Sequence, residues 1–149
     1  MNPIPSPPAS SDAPAGAPRR RVVTFGTFDV LHIGHVSILE RARALGDWLV
    51  VGVSSDALNL SKKGRLPIYP EADRLKLIGS LRCVDEVFVE ESLALKGDYL
   101  RQHRAAVLVM GDDWQGRFDE FRSICEVSYL PRTPSISTTE IIEVIRRAP

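Results

Sequence analysis

Residues 22–35 read VVTFGTFDVLHIGH, and they set the architecture of the chain. The first four positions are uncharged and β-branched or aromatic, the pattern of a parallel strand buried on both faces. Gly26 closes that run, and a helix pattern follows His32, with Ile38, Leu39, Ala42 and Leu45 on one side. Two similar runs, WLVVGV at 48–53 and VLVM at 107–110, recur downstream, and VDEVFVE (84–90) and EVSYL (126–130) complete a set of five strands. Amphipathic segments fill the intervals. One after Pro70 carries Leu75, Ile78 and Leu81; a third surrounds Lys96; a fourth lies between VLVMG and EVSYL; the last carries Ile141, Val144 and Ile145. Each stripe is expected to cover a face of the sheet. Strands alternating with helices and joined by right-handed crossovers give an α/β fold with a Rossmann-like, doubly wound parallel sheet.

The chain has 149 residues, enough for one well-packed domain. Its apolar and charged fractions, 44% and 26%, exclude disorder over the whole length. Six of the eleven prolines fall before Arg19, in a Pro/Ala/Ser-rich stretch with little to bury. Residues 1–20 are therefore expected to form a disordered tail and residues 21–149 the single domain. The formal charge is zero, and acids and bases are interleaved except at Arg19, Arg20 and Arg21, which argues against a nucleic-acid partner. No run is long and apolar enough to span a bilayer or to act as a secretion signal, and Cys83 and Cys125 lack metal or disulfide spacing. A cytoplasmic protein with no membrane association is the expectation.

In a doubly wound sheet, ligands bind beyond the carboxyl ends of the strands. The loops after VVTF, VGVSS, VLVMG and VSYL should line one crevice. In the first, His32 and His35 lie at i and i+3 in the opening turn of a helix, where free N–H groups and the helix dipole attract anions. Gly34 between them keeps side chains off the backbone. A zinc site would need a third ligand, and His103, Cys83 and Cys125 fall away from the crevice. No metal site on the protein is expected. In the last loop, LPRTPSISTTEIIEVI, Ser137 and Glu140 form a capping-box pattern, so a helix should begin at Ser137. Thr138 and Thr139 join its first turn, with Arg132 and Thr133 just upstream. Two anion cradles at one sheet edge suit a polyphosphate.

GTFDVLHIGH carries an HxGH motif, and RTPSISTT resembles the ISTT motif that accompanies it in the HxGH nucleotidyltransferases. RCVDEVFVE and VLVMGDDWQGRFDEF resemble the bacterial glycerol-3-phosphate cytidylyltransferase family. The likeness runs from about Arg21 to Arg146. It implies transfer of CMP from CTP to sn-glycerol 3-phosphate, giving CDP-glycerol, a precursor of teichoic acid, capsule or another glycerol polymer, and pyrophosphate. Mg²⁺ would be delivered with CTP, and the enzyme would be a homodimer. By matching position, Gly26, Thr27, Phe28, His32, Gly34 and His35 would hold the nucleotide phosphates from one side, and Arg132, Thr133, Ser137, Thr138 and Thr139 from the other. Arg82 matches a functional arginine and Asp113 an acidic position near the base. Lys62 and Lys96 match positions that meet the acceptor's phosphate. His32, His35, Arg132 and Lys62 would be the catalytic group. Lys62, Lys63 and Arg65 also read as a solvated surface cluster, and Asp29 as a supporting group. The chain departs from the family pattern at Pro134 and Ser135, where glycine is usual before the isoleucine, and by a loop from Lys62 to Pro70 that is one residue longer. The same motifs also resemble adenylyltransferases acting on a sugar phosphate or FMN, and a nucleotide-binding module without turnover would keep the cradles but not the reaction.

Overall fold

A computed structural model describes residues 19–133 and 137–149. Residues 1–18 of the expected tail over residues 1–20, and Pro134 and Ser135 of the last loop, lie outside them. Five strands, β1 (Arg21–Gly26), β2 (Trp48–Ser54), β3 (Glu86–Glu90), β4 (Val107–Gly111) and β5 (Glu126–Leu130), form one sheet in the order β3-β2-β1-β4-β5. Every pairing is parallel, with Val22 beside Leu49 and Val23 beside Leu108. This is the expected Rossmann-like doubly wound sheet. Strand order reverses between β1 and β4, and a crevice therefore opens beyond Gly26 and Gly111.

The uncharged strands bury both faces. On one, Val22, Leu49, Val51, Val53, Val107 and Val109 pack under Leu39 and Ala42 of α1 (Ile33–Arg43) and Ile78 of α3 (Glu71–Gly79). On the other, Val23, Phe25, Val50, Leu108, Met110 and Val127 pack under Leu100 of α4 (Lys96–Gln102) and the aromatic rings of Phe118 and Phe121. Each fully buried aliphatic side chain contributes roughly 1.5–3 kcal/mol.

Four expectations change. Between β2 and β3 there are two helices, not one. Ser55 caps α2 (Asp56–Lys63) through the Leu58 N–H, and the helix stops at Gly64, whose φ of 72° favours a residue without Cβ. Lys62 thus sits in a last helical turn. The expected helix between β4 and β5 is instead a pair of 3-10 turns, Asp112–Trp114 and Asp119–Ser123. Gly116, with φ of 84°, separates them, and the Tyr129 hydroxyl ties the segment to β5 by accepting from Phe118 N–H and donating to Asp119. The apolar stripe of α5 (Thr138–Arg147) does not cover the sheet: Val144 and Ile145 are 60% and 63% exposed. The α5 helix is tied to the first loop at Thr138, and the stripe is half-buried at Ile141 near that end and exposed farther along. Leu45, counted with the α1 stripe, lies beyond that helix and is partly exposed.

Candidate active site

The loop after β1 is bent by positive φ at Phe28 (55°) and Val30 (48°), conformations that L residues adopt at a cost of order 1–3 kcal/mol each. Phe28 folds back over Gly26, where a Cβ would meet its ring at 2.8 Å, and is itself 8% exposed. Its side chain belongs to the core, leaving its backbone to line the crevice. The bend delivers His32 as the N-cap of α1. Its Nδ1 accepts the Gly34 N–H at 3.0 Å, while Nδ1 of His35 accepts the His32 N–H at 3.2 Å, a capping box built from two imidazoles. With both Nδ1 atoms accepting, the ring hydrogen of each neutral histidine sits on Nε2. The rings stack 3.7 Å apart. Burial and the neighbouring His32 hold the pKa of His35 down at about 4, and burial followed by the Arg132 guanidinium lowers that of His32. Both are neutral donors at pH 7.

Arg74, on α3, holds this loop from behind. It is fully buried and donates from Nη1 to Thr27 O (2.9 Å) and Ser54 O (2.7 Å), from Nε to Tyr69 O (2.9 Å) and from Nη2 to Asp56 (2.7 Å). Asn59, 1% exposed, donates to Ser55 O and accepts the Thr27 hydroxyl at 2.8 Å. Asp29 is a backbone clamp: its carboxylate accepts N–H groups from Val30, Ile68 and Tyr69, fixing the segment after α2 against the first loop.

The second cradle is fastened to the first at two points. Thr138 Oγ1 donates to Asp29 O at 2.9 Å, and Arg41 of α1 donates to Pro131 O at 2.7 Å. Ser137 caps α5 by accepting the Glu140 N–H, as its spacing predicts. Arg132 pairs with Asp113 at 3.1 Å, each side chain half exposed, so the loops after β4 and β5 meet at the carboxyl edge of the sheet. Thr133 Oγ1 is buried, and Thr139 is exposed on the first turn of α5.

A family model described as Cytidylyltransferase-like matches residues 23–144. The glycerol-3-phosphate cytidylyltransferase of Bacillus subtilis is 49% identical over 127 residues, covering 85% of this chain and 97% of that protein. The chain belongs to the cytidylyltransferase-like family, among the glycerol-3-phosphate cytidylyltransferases. The enzyme of that name from Staphylococcus aureus is 43% identical over 122 residues, spanning 82% of this chain and 92% of its own. Among solved structures, the lipopolysaccharide core biosynthesis protein from Thermoplasma volcanium superposes with a TM-score of 0.67 at 25% identity, covering 78% of this chain and 99% of that one. The chain is therefore a nucleotidyltransferase.

Of the residues that the family motifs single out, Gly26, Thr27, Phe28, His32, Gly34, His35, Asp113, Arg132, Thr133, Ser137, Thr138 and Thr139 all lie at the carboxyl edge of the sheet. Lys62 reaches that edge from α2 with Lys63 and Arg65, all exposed. Lys96 is at the same edge but 4% exposed: its Nζ donates to Glu90 at 2.7 Å and stands 3.7 Å from the centre of the Phe25 ring. Its pKa lies below the ordinary lysine value: burial lowers it, Glu90 offsets part of that, and the charge of Lys62 lowers it further. Arg82 is not brought to the crevice. It precedes β3 at the opposite edge, three residues after the end of α3 and three before Asp85, whose N–H bonds to Leu49 O at the start of β2. Sequence reasoning missed Arg74, Asn59 and Glu90. The polar residues Asn59 and Glu90 at the ends of apolar stretches were the available signal; Arg74, in EADRLKL, looks like any exposed helical arginine.

Proposed function

We propose that the chain transfers CMP from CTP to sn-glycerol 3-phosphate, forming CDP-glycerol and pyrophosphate. The observation that carries this reading is the fastening of two anion cradles to each other: α5 begins one hydrogen bond from the loop that presents His32 and His35. One polyphosphate can then touch both helix starts. The dianionic acceptor phosphate, with a second pKa near 6, needs no general base. One of its oxygens forms the new bond to the α-phosphorus, and the bond to the bridging oxygen breaks with its electron pair leaving on pyrophosphate. Repulsion between anions and charge on the leaving group are the obstacles, so positioned donors supply the catalysis.

The neutral Nε2–H groups of His32 and His35 donate to phosphate oxygens without a proton transfer. Arg132 exchanges its exposed pairing with Asp113, which contributes little to stability, for the leaving pyrophosphate, aided by Thr133 and the α5 turn at Ser137, Thr138 and Thr139. Gly26 and Phe28 offer backbone, while Gly34, whose N–H donates to His32 Nδ1, adds no side chain to crowd the phosphates. Thr27, whose hydroxyl proton is taken by Asn59, meets the phosphates through its backbone. Asp113 faces the nucleotide, where a carboxylate suits the cytosine amino group. Lys62 and Lys96 hold the acceptor phosphate. The position of Arg82 gives it no part in the site formed by one chain.

Among the described residues no three His, Cys, Asp or Glu side chains gather to hold a metal ion, and Asp29 is taken up by backbone N–H groups. That arrangement fits a Mg²⁺ held chiefly by nucleotide phosphates; when bound, it would neutralise phosphate charge. A homodimer accords with the exposed Val144 and Ile145. No helix of the described residues is long and apolar enough to cross a membrane, and both cysteines are free, in keeping with a cytoplasmic site of action. The test is pyrophosphate release from CTP or ATP with glycerol 3-phosphate, a sugar phosphate or FMN as acceptor. Turnover with CTP and glycerol 3-phosphate is expected; preference for ATP, or tight CTP binding without pyrophosphate from any acceptor, would overturn the assignment.

A further inference from the structure

Glu90 is the last residue of β3 and 1% exposed, a carboxylate buried at the edge of the sheet where the ligands bind. Its Oε2 accepts from Lys96 Nζ at 2.7 Å, and its Oε1 accepts the Ser54 hydroxyl at 3.3 Å. Lys96 is fixed on its other side by the faces of Phe25 and Phe118, 3.7 and 5.4 Å from Nζ. Phe25 of β1, Glu90 of β3 and Phe118 of the segment after β4 thus converge on one ammonium, and the charge of Lys62 is near enough to act on it. Two opposed consequences are possible for a dianion arriving there. The Glu90 charge could repel it, or the carboxylate could serve it by keeping a buried lysine charged and aimed.

We infer that Glu90 is a positioning residue for the acceptor phosphate, acting through Lys96. An ammonium so deeply buried is costly without a partner, and Glu90 opposes the effect of burial on its protonation. Its second oxygen is oriented by Ser54, so the carboxylate cannot swing into the crevice without breaking that bond. Lys62 and Lys96 carry two positive charges and Glu90 one negative, which leaves the pocket net positive for a phosphate. The inference rests on the assignment of Lys96 to the acceptor made above.

Steady-state kinetics on Glu90→Gln, Glu90→Asp, Lys96→Met and the Glu90→Gln/Lys96→Met double variant test it. Glu90→Gln is expected to raise the KM for glycerol 3-phosphate about tenfold, the effect of losing one charge-assisted hydrogen bond, with kcat and the KM for CTP nearly unchanged. Glu90→Asp should recover part of the loss, and the double variant should be no worse than Lys96→Met alone. An unchanged or lowered acceptor KM in Glu90→Gln, equal rises in both KM values, or additive losses in the double variant would overturn the inference. If Lys96→Met itself leaves the acceptor KM unchanged, the lysine assignment fails instead. Should Glu90→Gln not fold, Ser54→Ala carries the test: a rise of about twofold or more in acceptor KM alone is expected from the loss of one weak hydrogen bond, and no rise refutes the proposal.

Discussion

Replacing Arg74 by lysine keeps the charge and removes the fork. The guanidinium serves four acceptors in different segments: Thr27 O in the first loop, Ser54 O at the end of β2, Tyr69 O before α3 and the Asp56 carboxylate at the start of α2. An ammonium offers donors from a single point and cannot span acceptors arrayed around a planar group. Keeping the Asp56 pair and one carbonyl leaves two carbonyls unserved. At about 1–3 kcal/mol for each buried group left without a partner, and with Thr27 and Tyr69 partly reachable by water, the expected loss is about 3 kcal/mol. That is a large part of the roughly 5–15 kcal/mol typical of a domain. Urea unfolding should show a lowered midpoint at constant slope. Because Thr27 and the segment clamped by Asp29 lose their common anchor, kcat/KM for both substrates should fall as well. A loss under about 1 kcal/mol with unaltered kinetics would refute the view that Arg74 sets the shape of the crevice.

His35→Ala should lower kcat by about two to three orders of magnitude, the usual effect of removing one transition-state donor, and a variant within threefold of wild type would remove the histidine from the mechanism. Since His32 and His35 are neutral at pH 7, the acidic limb of kcat/KM for the acceptor should lie near pH 6 and follow the acceptor's own ionisation. Substituting a phosphonate acceptor of higher pKa should move that limb; a stationary limb would implicate an enzyme group. The low pKa of His35, about 4 against an ordinary 6.5, means the unfolded chain takes up a proton first as pH falls. Stability should therefore decline from pH 6.5 toward 4, and His35→Asn should show a shallower decline in thermal unfolding at pH 7, 6 and 5. Lys62→Ala should raise the KM for glycerol 3-phosphate most; a change confined to CTP would reject its assignment.

The sheet was legible because β1, β2 and β4 are buried on both faces and so carry uninterrupted apolar runs, a pattern that needs no tertiary information. The two helix starts were legible because capping is local: Ser137 and Glu140 meet within one turn. The remainder depended on distant neighbours. Nothing near Arg74 in sequence shows that its four acceptors come from four segments. Lys96 reads as an exposed helical lysine until the end of β3 places Glu90 beside it. The segment after β4 has charges at helical spacing, but Gly116 and its tie to Tyr129 favour short 3-10 turns. The α5 stripe has helical period, yet period alone does not say what covers it.

The claim on which the account depends is that one triphosphate engages both cradles. An NMR titration with CTP, following the imidazole signals of His32 and His35 together with the backbone amides of Thr138 and Thr139, tests it directly. Both groups of signals should shift along one binding curve with a single Kd. Movement of the histidines without the α5 amides, or two curves with different midpoints, would contradict it.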